Sequence, residues 1–379
     1  MYKIVNKKKL CATVLADIVG YLVFSPLLLF RRERSIDPDS VKNILIIRTA
    51  YLGDVVMTLP LLKPLKERFP NSKITFLTST AAREVLINNP YVDEILTFNP
   101  FWFYPSERKK YVEFIRGLKQ RSFDLVIEAR GDLRELLLLV FPLKARYKVS
   151  FAFGGGGFIL SNRVPFTSVK HKLEYHLDIA RYLGCGMNEE IEWGVYLTEE
   201  EKKGVEKILD DNKIGKPFIC VHPGARHPLR RWFPERFASL CDRIAKELNI
   251  PIVFLGAKDE KDVIDEVISK MEYVPRNLAG LLSLREMSGI LSKSQLFLCN
   301  NSGPMHIAAS LKVPTVVIHG PSKSYWDAPY GNLSRIMEKP FPCRDSCDEN
   351  SCHHSNYAAC LKAITVEEVF CAVKDILKK

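Results

Sequence analysis

The chain has 379 residues, is 47% apolar and 26% charged, and carries a formal net charge of +11. That composition excludes a disordered or multispanning chain, and the length exceeds one ordinary core, pointing to two domains of about 150–200 residues each. The charge is uneven, since residues 1–36 hold seven Lys/Arg against two Asp/Glu and so supply +5 of the total. With no basic helix, zinc finger or other nucleic-acid signature elsewhere, this points to an anionic membrane surface and away from nucleic acid as a partner.

The first predicted element is "LCATVLADIVGYLVFSPLLLF" (residues 10–30), whose 21 residues could span a bilayer. Asp17 would cost about 2.5–3.5 kcal/mol near the bilayer centre. Thr13, Asp17 and Gly20 share one helical stripe, and the clusters "KKK" and "RRER" flank the segment. No small-residue cleavage pattern precedes "RRER", which argues against a cleaved signal peptide. Residues 1–40 are therefore expected to be a membrane-associating segment, interfacial or re-entrant on the cytoplasmic leaflet. The alternative is a helix packed on the protein's own surface.

From Val41 strands and helices alternate. "NILIIR" precedes a helix expected over residues 54–69, which Pro60 and Pro64 should kink or interrupt. "KITFLT", "EILTF" and "FDLVIEA" read as further strands, with helices through "AREVLINN" and "YVEFIRGLKQ". "FAFGGGG" reads as a flexible loop that lacks the spacing of a dinucleotide fingerprint. The charged "LTEEEKKGVEKILDDN" reads as a solvated helix near a linker. Strands at "FICVH", "PIVFLG", "LFLCN" and "PTVVIHG" then alternate with four more helices. A last helix, "TVEEVFCAVKDILKK", opens with Thr365 and Glu368 spaced as a capping box. Such alternation predicts βαβ units and two α/β lobes with parallel, doubly wound sheets, over residues 41–200 and 201–379. Ligands of such sheets meet the carboxyl ends of the strands.

Three loops of the second lobe have phosphate-binding character. "HPGARHPLRRW" offers Gly224, Arg226, Arg230 and Arg231; "NNSGPMH" offers Asn301, Ser302, Gly303 and a helix start; "HGPS" offers Gly320 and Ser322. Any one of them alone could be an ordinary strand-to-helix turn. Three at one sheet edge favour a diphosphate. His306 is either a packing residue or ligand-facing. At the matching edge of the first lobe stands Asp54, which fits either a first-turn cap or a general base. Arg130, Asp132, Arg134 and Lys172 are candidate sugar or phosphate contacts on the same side. Among ten cysteines, Cys343, Cys347, Cys352 and Cys360 cluster with His353 and His354 and could hold a structural zinc, although the spacing matches no standard finger. The other six read as small apolar residues.

The stretches "ILIIRTAYLGDVVMTLPLLKPLKERFP", "DLVIEARGDLRE", "HKLEYHL", "HPGARHPLRRWFPERFA" and "NNSGPMHIAASLKVPTVVIHGPS" together resemble the bacterial heptosyltransferases, glycosyltransferase family 9. The resemblance runs from about Val41 to the C-terminus. It implies a GT-B fold, with two Rossmann-like lobes facing a cleft, the acceptor on the first lobe and the nucleotide sugar on the second. It also implies transfer of a heptose from ADP-heptose to a lipid-linked lipopolysaccharide core acceptor, at the cytoplasmic face of the inner membrane. Asp54 takes the place of the family's catalytic base, and Gly303 and His306 match its pattern. Arg230 stands where a lysine is common, Asn301 where an aspartate is common, and Lys258 where some members have a glutamate. No D-x-D motif is evident, so inverting transfer without a metal or other cofactor is expected. Two alternatives share the architecture: a nucleotide-sugar epimerase, and a non-catalytic relative that only binds nucleotide sugar.

Overall fold

The computed structural model describes residues 7–28, 33–104, 108–187, 191–331, 333–345, 347 and 351–378. Arg31 and Arg32 of the expected basic flank lie outside the described residues. The chain divides into two compact units, Met1–Trp193 and Gly194–Lys379.

The first unit is built on a six-stranded sheet in the order β3-β2-β1-β4-β5-β6. The strands are β1 (Asn43–Arg48), β2 (Lys73–Thr78), β3 (Glu94–Thr97), β4 (Phe123–Glu128), β5 (Ala145–Phe151) and β6 (Asn162–Val164). All pairs are parallel, with Ile44 opposite both Ile74 and Leu125. Sheets of this kind are covered on both faces, which is why "ILII" and "LVI" are continuous apolar runs rather than alternating ones. The strand order reverses between β1 and β4, so the loops after these two strands part and leave a crevice.

Helix α1 (Lys7–Leu28) packs on this unit, so the N-terminal segment is not a separate body. Among the described residues, no helix is long and apolar enough to cross a membrane. The single helix expected over residues 54–69 is instead α2 (Leu52–Val56), a 3-10 turn (Leu59–Leu61) and α3 (Leu62–Arg68). Pro60, which cannot donate a helical hydrogen bond, lies in the turn that separates them. "AREVLINN" forms only a 3-10 run (Thr80–Leu86), because Asn88 turns left-handed and Pro90 follows. Helices α4 (Arg108–Lys119), α5 (Leu133–Glu135) and α6 (Lys172–Tyr182) complete the unit.

The second unit repeats the order as β12-β11-β10-β7-β8-β9, again wholly parallel. Its helices and strands alternate: α7 (Glu199–Asp211), β7 (Ile219–His222), α8 (Pro234–Leu248), β8 (Ile252–Phe254), α9 (Lys261–Ile268) and β9 (Arg276–Asn277). After them come α10 (Leu284–Lys293), β10 (Leu296–Asn300), α11 (Gly303–Ser310), β11 (Thr315–Ile318), α12 (Ser324–Asp327) and β12 (Ser334–Met337). The chain closes with α13 (Ala359–Lys362) and α14 (Val366–Leu377). Trp232, Phe237, Phe254 and Phe370 fill its core. The charged α7 is not merely solvated: Val205 and Leu209 are buried, and Arg285 of α10 donates from Nη2 to Glu201 at 2.6 Å. Both α7 and α14 carry complete capping boxes, Thr198 with Glu201 and Thr365 with Glu368.

Candidate active site

In the first unit, β1 ends at Arg48 and the chain turns through Tyr51 into α2. Tyr51 occupies the N-cap and makes no side-chain cap hydrogen bond, and Asp54 lies two residues further into the first turn than α2's first residue. Asp54 is therefore not the cap. Its carboxylate faces the buried Arg48 guanidinium, with Nη2 to Oδ1 at 3.2 Å, and Lys172 of α6 stands 3.9 Å away. Arg48 Nε and Nη1 are buried with no hydrogen-bond partner among the described residues. Thr58 donates its hydroxyl to the Asp54 carbonyl at 2.9 Å, and His176 of α6 lies 3.3 Å from that hydroxyl. Burial, helped by the nearby Arg48 charge, pushes His176 down to about 3, so its imidazole is neutral.

The loop after β4 supplies the other wall. Glu128 is buried and accepts from the N–H groups of Arg130 (3.1 Å) and Gly131 (2.6 Å) and from the Ser150 hydroxyl (2.6 Å). Burial and the neighbouring Glu135 drive its carboxyl well above the usual range. Thr49, between Arg48 and Asp54, donates to Glu135 and so ties the β1 loop to the β4 loop. Arg134 chelates Asp132 at 2.8 and 3.0 Å, and Arg130 and Arg134 both lie over the Phe103 ring, at 4.6 and 4.7 Å. Burial alone would raise Asp132, but the bonds from Arg134 and the charges of Arg130 and Arg134 outweigh it and hold the carboxyl low. Burial opposes the Arg130 charge, and Asp132, Glu135 and Asp54 sustain it. All four expected acceptor-side residues thus gather with Asp54 at the carboxyl edge of the first sheet. Arg48, His176 and the Glu128–Glu135 pair belong there too, and no local pattern marks them.

In the second unit the three expected loops follow β7, β10 and β11, adjacent strands of one sheet. Asn300 joins the first two: its amide accepts from the Trp232 N–H (3.1 Å) and donates to the Pro223 carbonyl (2.7 Å). Arg231 donates from Nε to the Ala225 carbonyl at 2.7 Å, and Arg230 closes the 3-10 turn Pro228–Arg230. His222 bridges Glu260 (2.9 Å) and the Ser302 hydroxyl (3.2 Å). Burial would raise Glu260, but His222 and Arg231 bring it down to about 2. Gly224 abuts this pair so closely that a Cβ there would lie 2.3 Å from Glu260 Oε1. Its role is close approach to Glu260. Ser302 is the N-cap of α11, Gly303 begins that helix, and His306 is buried within it.

Two expected donor contacts point inward instead. The Asn301 amide is buried and engages Ser322 Oγ (2.6 Å), His319 (2.9 Å) and Asp327 (3.3 Å). Ser322 is buried in the same cluster, and its carbonyl accepts from Arg344 at 2.5 Å. These residues lock the β10 and β11 loops together, because a buried amide must find partners. Gly320 packs against Leu361 and the Leu229 carbonyl.

The four clustered cysteines line one partly open cavity with His353 and His354, beside Leu229 and Pro321. Among the described residues, no three His, Cys, Asp or Glu side chains converge to hold a metal ion. Cys343, Cys347, Cys352 and Cys360 form no disulfide among the described residues.

Comparison with known proteins agrees with this architecture. The family model described as glycosyltransferase family 9 (heptosyltransferase) matches residues 111–357, more than half of the chain. A lipopolysaccharide core heptosyltransferase of Haemophilus influenzae is 22% identical over 309 residues, covering 79% of this chain and 85% of that one. A solved family 9 glycosyl transferase from Veillonella parvula superposes with a TM-score of 0.76 at 22% identity, covering 89% and 97% of the two chains. The solved Escherichia coli ADP-heptose lipopolysaccharide heptosyltransferase II gives 0.71 at 20% identity, covering 89% and 98%.

Proposed function

The chain belongs to glycosyltransferase family 9, and from that premise we propose that it moves a heptose from ADP-heptose to a lipopolysaccharide core acceptor. The carrying observation is the setting of Asp54: a carboxylate at the carboxyl edge of the first sheet, ringed by Arg48, Lys172 and Arg130 and not used as a helix cap. The acceptor binds at this edge through Arg130, Arg134 and Lys172, and the donor at the second unit's edge.

Transfer is a single inverting displacement. Asp54 takes the proton from the acceptor hydroxyl as the oxygen attacks the anomeric carbon. The bond to the diphosphate breaks, and the departing charge falls on Arg230, Arg231 and the start of α11 at Ser302 and Gly303. Work at the cytoplasmic face of the inner membrane suits the lipid-linked acceptor and the basic N-terminal segment.

Asp54→Asn tests the assignment. Transfer should fall by at least about 1,000-fold, in keeping with loss of a general base and its positioning. ADP-heptose binding, followed by calorimetry, should be retained. Turnover within a few-fold of the parent removes Asp54 from the role of base. Donor conversion without acceptor would instead indicate an epimerase.

A further inference from the structure

A helix on a protein surface ordinarily turns its apolar stripe inward and its polar stripe to water. Helix α1 instead has apolar residues on both sides: Tyr21 and Phe24 pack inward, and a second apolar stripe is left facing out. Thr13 and Asp17 are 8% and 5% exposed, whereas Leu15, Ile18, Val19, Leu22 and Val23 are 52–68% exposed. Those five fall at i, i+3, i+4, i+7 and i+8, one continuous stripe. The inward side is held by specific contacts. Asp17 Oδ1 accepts the Gly156 N–H at 2.7 Å, Phe24 stacks on Phe158 at 5.5 Å, and Tyr21 meets Phe158 edge-on at 5.7 Å.

Gly154, Gly155 and Gly156 lie between α1 and the loop after β4, with no side chain of their own to separate them. A Cβ on Gly155 would meet Thr13 Cγ2 at 2.6 Å, and one on Gly154 would meet the Gly131 carbonyl at 1.9 Å. Gly131 is followed by Asp132, which pairs with Arg130 and Arg134. The segment that reads in sequence as a flexible loop is a packed wedge joining α1 to the acceptor-side arginines.

We infer that α1 is an in-plane anchor for an anionic lipid surface, and that the glycine wedge sets the Arg130–Arg134 loop for an acceptor embedded in that same surface. Lipid is the occupant of the apolar stripe because the chain is basic at both ends of the helix: Lys3 precedes it, Lys7, Lys8 and Lys9 open it, and Arg31, Arg32 and Arg34 follow it. A second copy would bring like charges together. The inference rests on the transferase reading for its acceptor, but not for its lipid binding.

The test uses the full chain with vesicles of phosphatidylcholine, alone or mixed with phosphatidylglycerol. Transfer is measured to a core acceptor embedded in the vesicles and to the same acceptor after de-acylation. The parent should sediment with the mixed vesicles at least about tenfold more strongly than with phosphatidylcholine alone, and less so in high salt. The double variant Leu15→Gln/Leu22→Gln should lose sedimentation and turnover of the embedded acceptor, with turnover of the de-acylated acceptor intact. Asp17→Ala should still sediment, yet lose at least about fivefold in turnover of both acceptors with ADP-heptose binding intact, as expected when the loop that holds the acceptor is displaced. Intact turnover of the de-acylated acceptor shows that the double variant folds, and retained ADP-heptose binding shows it for Asp17→Ala.

A parent that ignores mixed vesicles, or a double variant that sediments like the parent, overturns the anchor. A dimer that the double variant dissolves also overturns it, by giving the stripe to a second copy. Turnover of both acceptors at the parent's level in Asp17→Ala overturns the wedge. Absence of transfer by the parent to either acceptor counts against the transferase reading only, and sedimentation still decides the anchor.

Discussion

Arg48 and His176 show how much of Asp54's setting comes from residues far from it in the chain. Arg48 is buried at the end of β1 and directs one of its three nitrogens at the Asp54 carboxylate. His176 arrives from α6, more than a hundred residues later, and is kept neutral by burial. The unfolded chain takes up a proton at this histidine near 6.5, whereas the folded one resists until about 3. Its contribution to stability is therefore complete above pH 6.5 and is lost as pH falls towards 3, at up to about 1.4 kcal/mol per pH unit. Glu128, with its raised value, acts with the opposite sign: its contribution is present below the ordinary carboxylate range and lost as pH rises. His176→Gln should flatten the acid limb, so that urea midpoints measured from pH 7 to pH 4 fall more slowly than in the parent. Parallel curves would remove the histidine from that limb. Asp54 itself stood out in sequence as an acid at a strand-to-helix turn. Its cation did not, because a lone arginine closing an apolar strand carries no signal of what it will face.

At the scale of elements, apolar runs made β1, β2, β4, β7, β8, β10 and β11 legible, since strands buried on both faces have little choice of composition. "ARYKVSF" (β5) and the three-residue "NRV" (β6) mix polar and apolar residues at the sheet's edge side, and neither is legible as a strand. The helix breaks around Pro60 were legible too, though not that α2 would begin at Leu52. Loop glycines gave a less direct message. Gly224 reads as a phosphate-loop glycine, and in the fold it is the space that lets Glu260 reach His222. Gly224→Ala should push Glu260 aside, loosen the His222–Ser302 tie at the start of α11, and raise the KM for the nucleotide sugar by about tenfold with less effect on kcat. Steady-state kinetics with varied donor reads this directly, and an unchanged KM would dissociate Gly224 from the donor loops.

Across the whole molecule the same strand order occurs twice, each time around its own core, so each unit places its loops by its own packing. Trp232 couples packing to function in the second unit. It is almost fully buried, its indole donates to the Ile364 carbonyl at 3.2 Å, and it directly follows Arg230 and Arg231. Trp232→Ala should cost about 3–5 kcal/mol, seen as a lower denaturation midpoint, with nucleotide-sugar binding weakened alongside. A midpoint within about 1 kcal/mol of the parent would contradict this packing role. The sequence by itself determined the alternation of strand and helix, hence the two parallel sheets, the loops at their carboxyl edges and the acid in the first of them. Those follow from periodicity and turn chemistry, which are local. Only the tertiary structure decided that Asp54 would face Arg48, that Asn301 and Ser322 would turn inward, that four neighbouring cysteines would line one cavity, and that α1 would leave an apolar stripe facing outward. Each depends on which loops meet where the strand order reverses, or on what lies beneath a helix, and those neighbours are separated by up to well over a hundred residues of chain.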